Sequence, residues 1–220
     1  MTGLIVAIDG PSGVGKTSTS KELARRLGVP HIDTGAMYRA IALKAIRESV
    51  SFDDGEALTA LASGAAIAFQ PAPERPRILL DGEDVTDAIR EPEVSMAASR
   101  ISAVPPLRRI LVELQQQLGR QSGGVLEGRD IGTKVFPDTP YKFFLTARPE
   151  VRALRRHREL HARGIELTVE EVLAEMLARD RQDSTRADSP LTYDSSYTLV
   201  DTSDLTIREV VEVLVDRIRA

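Results

Sequence analysis

The stretch Gly10-Pro-Ser-Gly-Val-Gly-Lys16-Thr17 decides the fold of this chain, because it satisfies the pattern G-x-x-x-x-G-K-[ST] at every fixed position. The apolar run Leu4–Ile8 before it predicts a buried strand. The helically spaced apolar residues after it, closed by Gly28, predict a helix. A strand, a glycine-rich loop and a helix start in this order predict a phosphate-binding loop.

The residue types of this loop explain the chemistry it can perform. Glycines allow backbone N–H groups to curl around phosphate oxygens without a Cβ in the way, and the following helix N-terminus favours an anion. We expect Lys16 to reach the β- and γ-phosphates of ATP and the Thr17 hydroxyl to bind Mg²⁺. The predicted ATP-binding residues of this segment are Gly10, Pro11, Ser12, Gly13, Val14, Gly15, Lys16, Thr17 and Ser18.

Composition bounds the class of protein. The 220 residues are enough for a single α/β domain over 1–220 with an inserted lobe. The formal net charge of −4 argues against a surface that coats nucleic acid, although arginines cluster after Arg100 and suit an anionic substrate. The absence of cysteine fits a reducing cytosol, and Leu4–Ile8 is too short to span a membrane. We therefore expect a cytoplasmic protein without a membrane or nucleic-acid partner.

A second strand-to-helix junction follows the loop. The sequence predicts a short strand over 29–33, and the turn Asp33-Thr-Gly35 then opens a helix. Asp33, Thr34, Tyr38 and Arg39 would thus lie at the carboxyl end of a strand, where open α/β sheets bind ligands. The alternative is that Asp33 and Thr34 only cap the helix.

The β/α alternation is then interrupted by a β-rich piece. Short strands are predicted over 66–70, 77–80 and 83–85, joined by the turn-rich segment 71–76 and by Asp81-Gly82. We interpret residues 63–103 as an inserted lobe whose last helix carries Ser99. A further helix starts at Pro105-Pro106 and carries Arg108, for which a role in binding and an ordinary surface position are both open.

The segment Gly123–Asp130 contains a short predicted strand, Val125-Leu126, with charged residues just past its end. Three interpretations remain open for these charges. They are solvated turn residues, or Glu127 or Asp130 is a Mg²⁺ ligand, or Arg129 binds phosphate while Asp130 recognises a base.

Two arginine-rich helices follow over 152–186, with Arg163-Gly164 as a hinge between them. They are typical of a mobile lid over a polyphosphate, although a purely structural network of salt bridges is the alternative. The end of the second helix, 179–186, is too polar to be expected in a core. His157 and His161 have a spacing that would allow a metal, but their basic helix lacks the H-E-x-x-H carboxylate and disfavours zinc.

Four motifs together resemble bacterial cytidylate kinases. They are the phosphate-binding loop, Asp33-Thr-Gly-Ala-Met-Tyr-Arg39, Leu126-Glu-Gly-Arg-Asp-Ile-Gly-Thr133, and 179–186. The resemblance covers essentially the whole chain. It implies an α/β, three-layer P-loop kinase fold with a central parallel sheet, an inserted small β-rich NMP-binding lobe and a helical lid. It also implies transfer of the γ-phosphoryl group of ATP to CMP or dCMP, with Mg²⁺ as cofactor.

The resemblance also assigns residues. The CMP phosphate would be bound by Thr34, Tyr38, Arg39 and Arg129, with Asp33 orienting it or the waters of the metal. The cytosine would be lined by Ser99, Arg108, Asp130 and Arg186, and the ribose would meet Arg179 and Asp183. Arg155, Arg156 and Arg181 would be lid or ATP-side arginines. The catalytic group would be Lys16, Arg129, Arg179 and Asp183.

Three other functions remain open from the sequence. Another small-molecule P-loop kinase would share the loop and the lid but not the inserted lobe or the Gly128-Arg129-Asp130 turn. A nucleotide-dependent switch would not need two arginine-rich lid helices. A nucleic-acid-binding role rests on those helices alone. We expect a monomer, because no long apolar stripe is left over.

Overall fold

The computed structural model describes residues 3–70 and 76–219. The chain divides into two compact units, a first unit of Met1–His31 with Leu118–Ala220 and a second unit of Ile32–Gln117. The elements follow in the order β1 (Ile5–Asp9), α1 (Lys16–Leu27), β2 (His31–Asp33), α2 (Thr34–Arg47), α3 (Gly55–Gly64), β3 (Ile67–Gln70), β4 (Arg77–Leu80), β5 (Glu83–Asp84), α4 (Pro92–Ile101), α5 (Pro105–Ser122), β6 (Gly124–Gly128), β7 (Tyr141–Thr146), α6 (Pro149–His161), α7 (Val169–Thr185), β8 (Thr198–Asp201) and α8 (Ile207–Arg219).

The first unit is built on a parallel sheet. Within the described residues the strand order is β2-β6-β1-β7-β8, and β1 pairs in parallel with both β6 and β7. Val6, Ala7 and Ile8 are all completely buried, which explains the continuous apolar run, since both faces of a parallel sheet are covered. The core of this unit joins the sheet to α1 and α8. The predicted α/β fold with a central parallel sheet is confirmed.

Strand β6 is longer than the sequence predicted. It runs over Gly124–Gly128, and Glu127 and Gly128 lie opposite Ile8 and Asp9 of β1. The expectation that the charge of Glu127 lies just past the strand is therefore wrong. A buried carboxylate is tolerated inside the strand because its side chain has partners from other elements, described below.

The second unit combines helices with a small antiparallel sheet. Helix α2 packs against α4 and α3, and β3, β4 and β5 pair antiparallel in that order. The three short strands predicted in this part of the chain are thus present. The predicted turn over 71–76 falls mostly on residues 71–75, outside the described residues. The limits of the lobe, 63–103, and of the lid, 152–186, remain predictions.

Helices α6 and α7 pack together in the first unit. Their contact includes an apolar cluster of Ala153 and Leu160 on α6 with Val172 and Met176 on α7. Thr168 starts α7 with a capping box, in which its hydroxyl accepts from Glu171 N while the Glu171 carboxylate accepts from Thr168 N. No helix within residues 3–70 and 76–219 is both long enough and apolar enough to span a membrane.

Candidate active site

The loop between β1 and α1 needs glycine at two positions for different reasons. At Gly10, φ is 147° and a Cβ would lie 2.2 Å from the Leu145 carbonyl oxygen, so no side chain fits. At Gly15, φ is 89° where the loop enters α1, a left-handed conformation that glycine adopts without strain. The two outer glycines of the sequence pattern are thus imposed by the backbone of the loop.

The side chain of Lys16 turns into the concave side of this loop. Its Nζ donates to the carbonyl oxygens of Gly10 at 2.7 Å and Pro11 at 2.6 Å, and the side chain is buried. Burial, reinforced by the Arg129 guanidinium, lowers the pKa of the Lys16 ammonium well below its usual range. The structure therefore places a poorly solvated cation where the sequence pattern predicts a phosphate-binding lysine.

Thr17, the next residue, belongs to a chain of polar contacts. Its hydroxyl donates to Glu127 Oε2 at 2.9 Å, and Glu127 Oε1 lies 2.8 Å from His31 Nε2. Hydroxyl and carboxylate oxygens are the ligands that Mg²⁺ prefers in proteins, so this pair of oxygens fits the predicted metal. Within residues 3–70 and 76–219, this site included, no group of three or more His, Cys, Asp or Glu side chains could hold a metal ion.

Asp9, at the end of β1, was not predicted as a site residue. Its Oδ1 accepts from Ile131 N at 2.9 Å, and its Oδ2 accepts from Gly132 N at 2.9 Å and from the Tyr197 hydroxyl at 2.8 Å. These bonds tie the segment that follows Arg129-Asp130 to the strand that enters the loop. The sequence feature that could have pointed to Asp9 is its position as an acidic residue at the end of an apolar strand, directly before Gly10.

The buried carboxyl group of Asp9 should make the stability of the protein depend on pH. Burial raises its pKa to about 6, although the two backbone N–H groups oppose the shift. In the unfolded chain the Asp9 carboxyl loses its proton near pH 4, whereas in the folded chain it keeps the proton up to about pH 6. Its contribution to stability is therefore complete below about pH 4 and is lost as the pH rises to about 6. Between pH 4.5 and 7.5 we expect the free energy of unfolding of the wild type to fall by about 2 kcal/mol relative to Asp9→Asn.

Urea denaturation of both proteins across this pH range measures that difference. Taking the difference removes the titration of groups that both proteins share. A gap between wild type and Asp9→Asn that stays constant with pH would contradict a raised pKa.

A cluster of opposite charges joins the β6–β7 connection to the end of α7. Arg129 Nε donates to Asp183 Oδ2 at 2.8 Å, and Arg186 Nη1 lies 3.5 Å from Asp183 Oδ1. Burial favours a raised pKa for Asp183, but Arg129 and Arg179 outweigh it and hold the pKa below its usual value. The structure thus groups three residues that the resemblance assigned to the acceptor, with the charge of Arg179 acting on them.

The expectation that 179–186 is too polar to bury is wrong for Asp183, which is only 4% exposed. Helix α7 continues to Thr185, so the acidic side chain is carried inward, where Arg129 neutralises it. A pattern of local polarity could not reveal this, because the neutralising charge lies more than fifty residues earlier in the chain.

A second charged contact reaches the tip of the phosphate-binding loop. The Arg152 guanidinium of α6 pairs with the Asp180 carboxylate of α7 and also donates to the Ser12 carbonyl oxygen at 3.1 Å. Asp180 in turn accepts from Ser12 N at 3.4 Å. Neither Arg152 nor Asp180 was predicted as a site residue, because in the sequence each looks like one of many helix charges.

The two predicted ATP-side arginines of α6 differ in position. Arg155 donates to the hydroxyl of Thr202 at 3.0 Å and to its carbonyl oxygen at 2.6 Å, and that hydroxyl donates to Val14 O in the loop at 2.9 Å. Arg156 pairs with Glu159 of its own helix at 3.1 Å. The structure therefore links Arg155 to the loop through Thr202 and leaves Arg156 on the outside of α6.

In the second unit, Asp33 contacts both the start of α2 and Arg39. Its Oδ1 caps α2 by accepting from Ala36 N at 3.1 Å, and its Oδ2 accepts from Arg39 Nη2 at 2.8 Å. Asp33 thus caps α2, but it does more than cap, because the same carboxylate holds Arg39 beside it. Thr34 is buried in the first turn of the same helix.

Arg108 is not a surface arginine, since only 2% of it is exposed. Its Nη1 donates to Ser102 O at 3.0 Å, and its guanidinium lies 5.4 Å from the centre of the Tyr38 ring. Ser99 is half-buried on α4, one turn before Ser102. The second unit thus brings Tyr38 and Arg108 together, two of the residues that the resemblance assigned to the acceptor.

Comparison with known proteins settles the family. A model of the cytidylate kinase family matches residues 6–220, nearly the whole chain. The chain belongs to the cytidylate kinase family. Among curated cytidylate kinases, that of Citrifermentans bemidjiense is 50% identical over 212 residues, which are 96% of this chain and 91% of that protein. The cytidylate kinase of Caldanaerobacter subterraneus subsp. tengcongensis is 48% identical over 97% of this chain and 94% of its own.

A solved structure with a similar fold is that of an uncharacterized protein from Eubacterium ventriosum. It has a TM-score of 0.53 and 13% sequence identity and covers 98% of each chain, so it bears on the fold alone. Membership of the cytidylate kinase family confirms the resemblance drawn from the four motifs. It also makes the chain an ATP-dependent nucleoside monophosphate kinase rather than a nucleotide switch.

Proposed function

We propose that the residues described above carry out the cytidylate kinase reaction, transfer of the γ-phosphoryl group of ATP to CMP or dCMP, giving ADP and CDP or dCDP. The observation that carries this proposal is the buried Arg129–Asp183–Arg186 cluster in the same compact unit as a complete phosphate-binding loop. Phosphoryl transfer requires that two anions be aligned and their developing charge neutralised, and this unit supplies cations for that purpose.

On the donor side, the loop from Gly10 to Ser18 would bind the phosphates of ATP through its backbone N–H groups, and Lys16 would neutralise the β- and γ-phosphates. Thr17 and Glu127 would hold Mg²⁺, directly or through its waters. When bound, the metal would offset phosphate charge in the transition state. Arg155 and Arg156 would belong to the lid on this side.

Arg129 and Arg179 would stabilise the transferring phosphoryl group. A guanidinium suits this task because its planar fork binds phosphate oxygens bidentately and remains charged. Asp183 would hold Arg129 in position through the 2.8 Å bond and would meet the ribose hydroxyls together with Arg179. No general base is needed, since the CMP phosphate is already an anionic nucleophile near pH 7.

Recognition of the acceptor would use the residues that the resemblance assigned to it, which are Asp33, Thr34, Tyr38, Arg39, Ser99, Arg108, Arg129, Asp130, Arg179, Asp183 and Arg186. Cytosine offers an amino donor at N4 and acceptors at N3 and O2. Asp130 would accept from N4, and Arg108 would donate to N3 or O2.

The second prediction concerns the choice of base. Uracil would present its O4 to the Asp130 carboxylate and its N3–H to Arg108, and each buried mismatch costs roughly 1–3 kcal/mol. We expect CMP and dCMP to be good acceptors and kcat/KM for UMP to be lower by about a hundredfold. In Asp130→Ala the ratio of kcat/KM for CMP over UMP should fall by at least about tenfold, while KM for ATP changes by less than about twofold.

A coupled assay of ADP release over a panel of nucleoside monophosphates measures these ratios. Asp138→Ala, at an exposed carboxylate, is the control and should keep the wild-type preference. If Asp130→Ala loses affinity for Mg²⁺·ATP and keeps its base preference, Asp130 acts as a metal ligand and the assignment as base reader fails.

We further propose that the protein works as a cytoplasmic monomer. The absence of cysteine supports a cytoplasmic location, because it fits the reducing environment of the cytosol. The lack of a long unpaired apolar stripe in the sequence supports a monomer. Light scattering coupled to gel filtration would report the mass directly, and a mass of twice 24.1 kDa would contradict the monomer.

A further inference from the structure

His31 has no role in the assignments above, yet its side chain is only 9% exposed and lies at the start of β2 beside a buried carboxylate. The distance from His31 Nε2 to Glu127 Oε1 is 2.8 Å, a hydrogen-bond distance. An ionised carboxylate has no hydrogen to offer, so the imidazole supplies it and Nε2–H donates to Glu127. This bond fixes one oxygen of the Glu127 carboxylate.

The other oxygen of Glu127 continues the chain of contacts outward. Glu127 Oε2 accepts from the Thr17 hydroxyl at 2.9 Å, and Thr17, unlike Glu127, is exposed to solvent. A hydroxyl has one hydrogen and two lone pairs. Because its hydrogen is committed to Glu127, the lone pairs of the Thr17 oxygen are directed away from the carboxylate and are free to bind a cation.

We propose that His31 is a positioning residue for the metal–nucleotide site: it holds the Glu127 carboxylate so that Glu127 orients the Thr17 hydroxyl toward a divalent cation. The inference rests on the proposed function, since it takes Mg²⁺ as the cation near Thr17. Residues that orient metal ligands from behind typically change metal affinity by about 10–100-fold when they are replaced. A purely structural histidine–carboxylate pair would need no third partner, whereas here the second carboxylate oxygen leads to the loop.

Titration calorimetry tests the proposal by measuring binding affinity. The nucleotide acceptor is left out so that no turnover takes place. The ligand is the β,γ-imido analogue of ATP. It is titrated into the protein once in the presence of Mg²⁺ and once in the presence of a chelator. In His31→Phe, which removes the donor and retains a ring, we expect the affinity for the Mg²⁺ complex to fall by about tenfold. The affinity for the metal-free analogue should change by less than about twofold. His31→Gln, which restores an N–H donor, should recover most of the loss.

Two further variants complete the test. His161→Phe is the matched control, because His161 lies 3.7 Å from Glu166 on an exposed surface, and it should bind both forms as the wild type does. Glu127→Gln has one carbonyl oxygen where two carboxylate oxygens are needed and should behave as His31→Phe does. If His31→Phe does not fold, His31→Ala, which also removes the donor, takes its place in the comparison with His31→Gln.

Equal losses with and without Mg²⁺ would show that His31 only supports the fold and would overturn the inference. Unchanged binding of both forms in His31→Phe would also overturn it while leaving the proposed Mg²⁺ site intact. A wild type that gains no affinity from Mg²⁺ would instead overturn the metal assignment itself, and with it this inference.

Discussion

Lys16→Met should lower kcat with ATP and CMP by about a thousandfold or more while the protein remains folded. The loss of activity is expected because Lys16 is the cation placed inside the phosphate-binding loop, and methionine fills the same space without charge. The effect on stability is expected to be small, within about 1 kcal/mol, because two opposing changes accompany the substitution. The bonds to Gly10 O and Pro11 O are lost, and so is the cost of keeping a poorly solvated ammonium.

Steady-state kinetics and urea denaturation measure the two effects. Lys134→Met is the control, since Lys134 is exposed and should retain wild-type kcat and KM. A folded Lys16→Met protein with kcat within about tenfold of the wild type would remove Lys16 from the proposed mechanism. Loss of folding in this variant would contradict the balance of terms argued from its buried ammonium.

Arg129→Met should lose both activity and stability. Removing one partner of a buried ion pair costs about 3–5 kcal/mol, because the other charge is left uncompensated. We expect about 3 kcal/mol here, since Arg186 at 3.5 Å still neutralises part of the Asp183 charge. Loss of an arginine at the transferring phosphoryl group should lower kcat by about a thousandfold.

A double-mutant cycle with Asp183→Asn separates the pair from the catalytic role. If the 2.8 Å contact is the source of the stability loss, the double variant should be destabilised by less than the sum of the two single variants. Activity should not recover in the double variant, because Arg129 is still absent. The lowered pKa of Asp183 also predicts how its contribution to stability depends on pH. This contribution is present above about pH 4 and is lost as the pH falls through the pKa of the folded state.

The exposed pair Arg148–Asp204 is the matched control for this cycle. Arg148 Nη2 and Asp204 Oδ1 are 2.6 Å apart, but the side chain of Arg148 is 53% exposed and that of Asp204 is 76% exposed. Breaking an exposed pair costs about 0.2–1 kcal/mol, so Arg148→Met should change the free energy of unfolding far less than Arg129→Met. Similar losses from both variants would mean that burial of Asp183 does not set the strength of its ion pair.

Local patterns were sufficient for most of the fold and for one part of the site. The run Leu4–Ile8, the loop that follows and the helix start are each encoded by neighbouring residues, through apolar periodicity and the backbone conformations that only glycine allows. The predicted strands over 66–70 and 77–80 agree with β3 and β4 for the same reason. The family could also be recognised at this level, because its motifs are short and contiguous.

Partners from distant segments account for what could not be predicted. Strand β6 extends through Glu127 because β1 pairs with it and because His31 and Thr17 bind its carboxylate. Asp9 lies at the candidate site only because Ile131 and Gly132, more than a hundred residues later in the chain, donate to its carboxylate. In the sequence, each of these side chains is merely a charged or polar residue near an apolar run.

The sequence by itself therefore determined the phosphate-binding loop, the order of strands and helices and the family, since these depend on the spacing of residues within one short segment. Only the tertiary structure decided which charged and polar side chains are buried and what each of them contacts, as at Asp183, Arg152 and His31. The physical reason is that a charge or polar group is tolerated in the interior only when a partner compensates its lost contact with water. That partner is brought close by packing of the whole unit, and spacing along the chain does not contain this information.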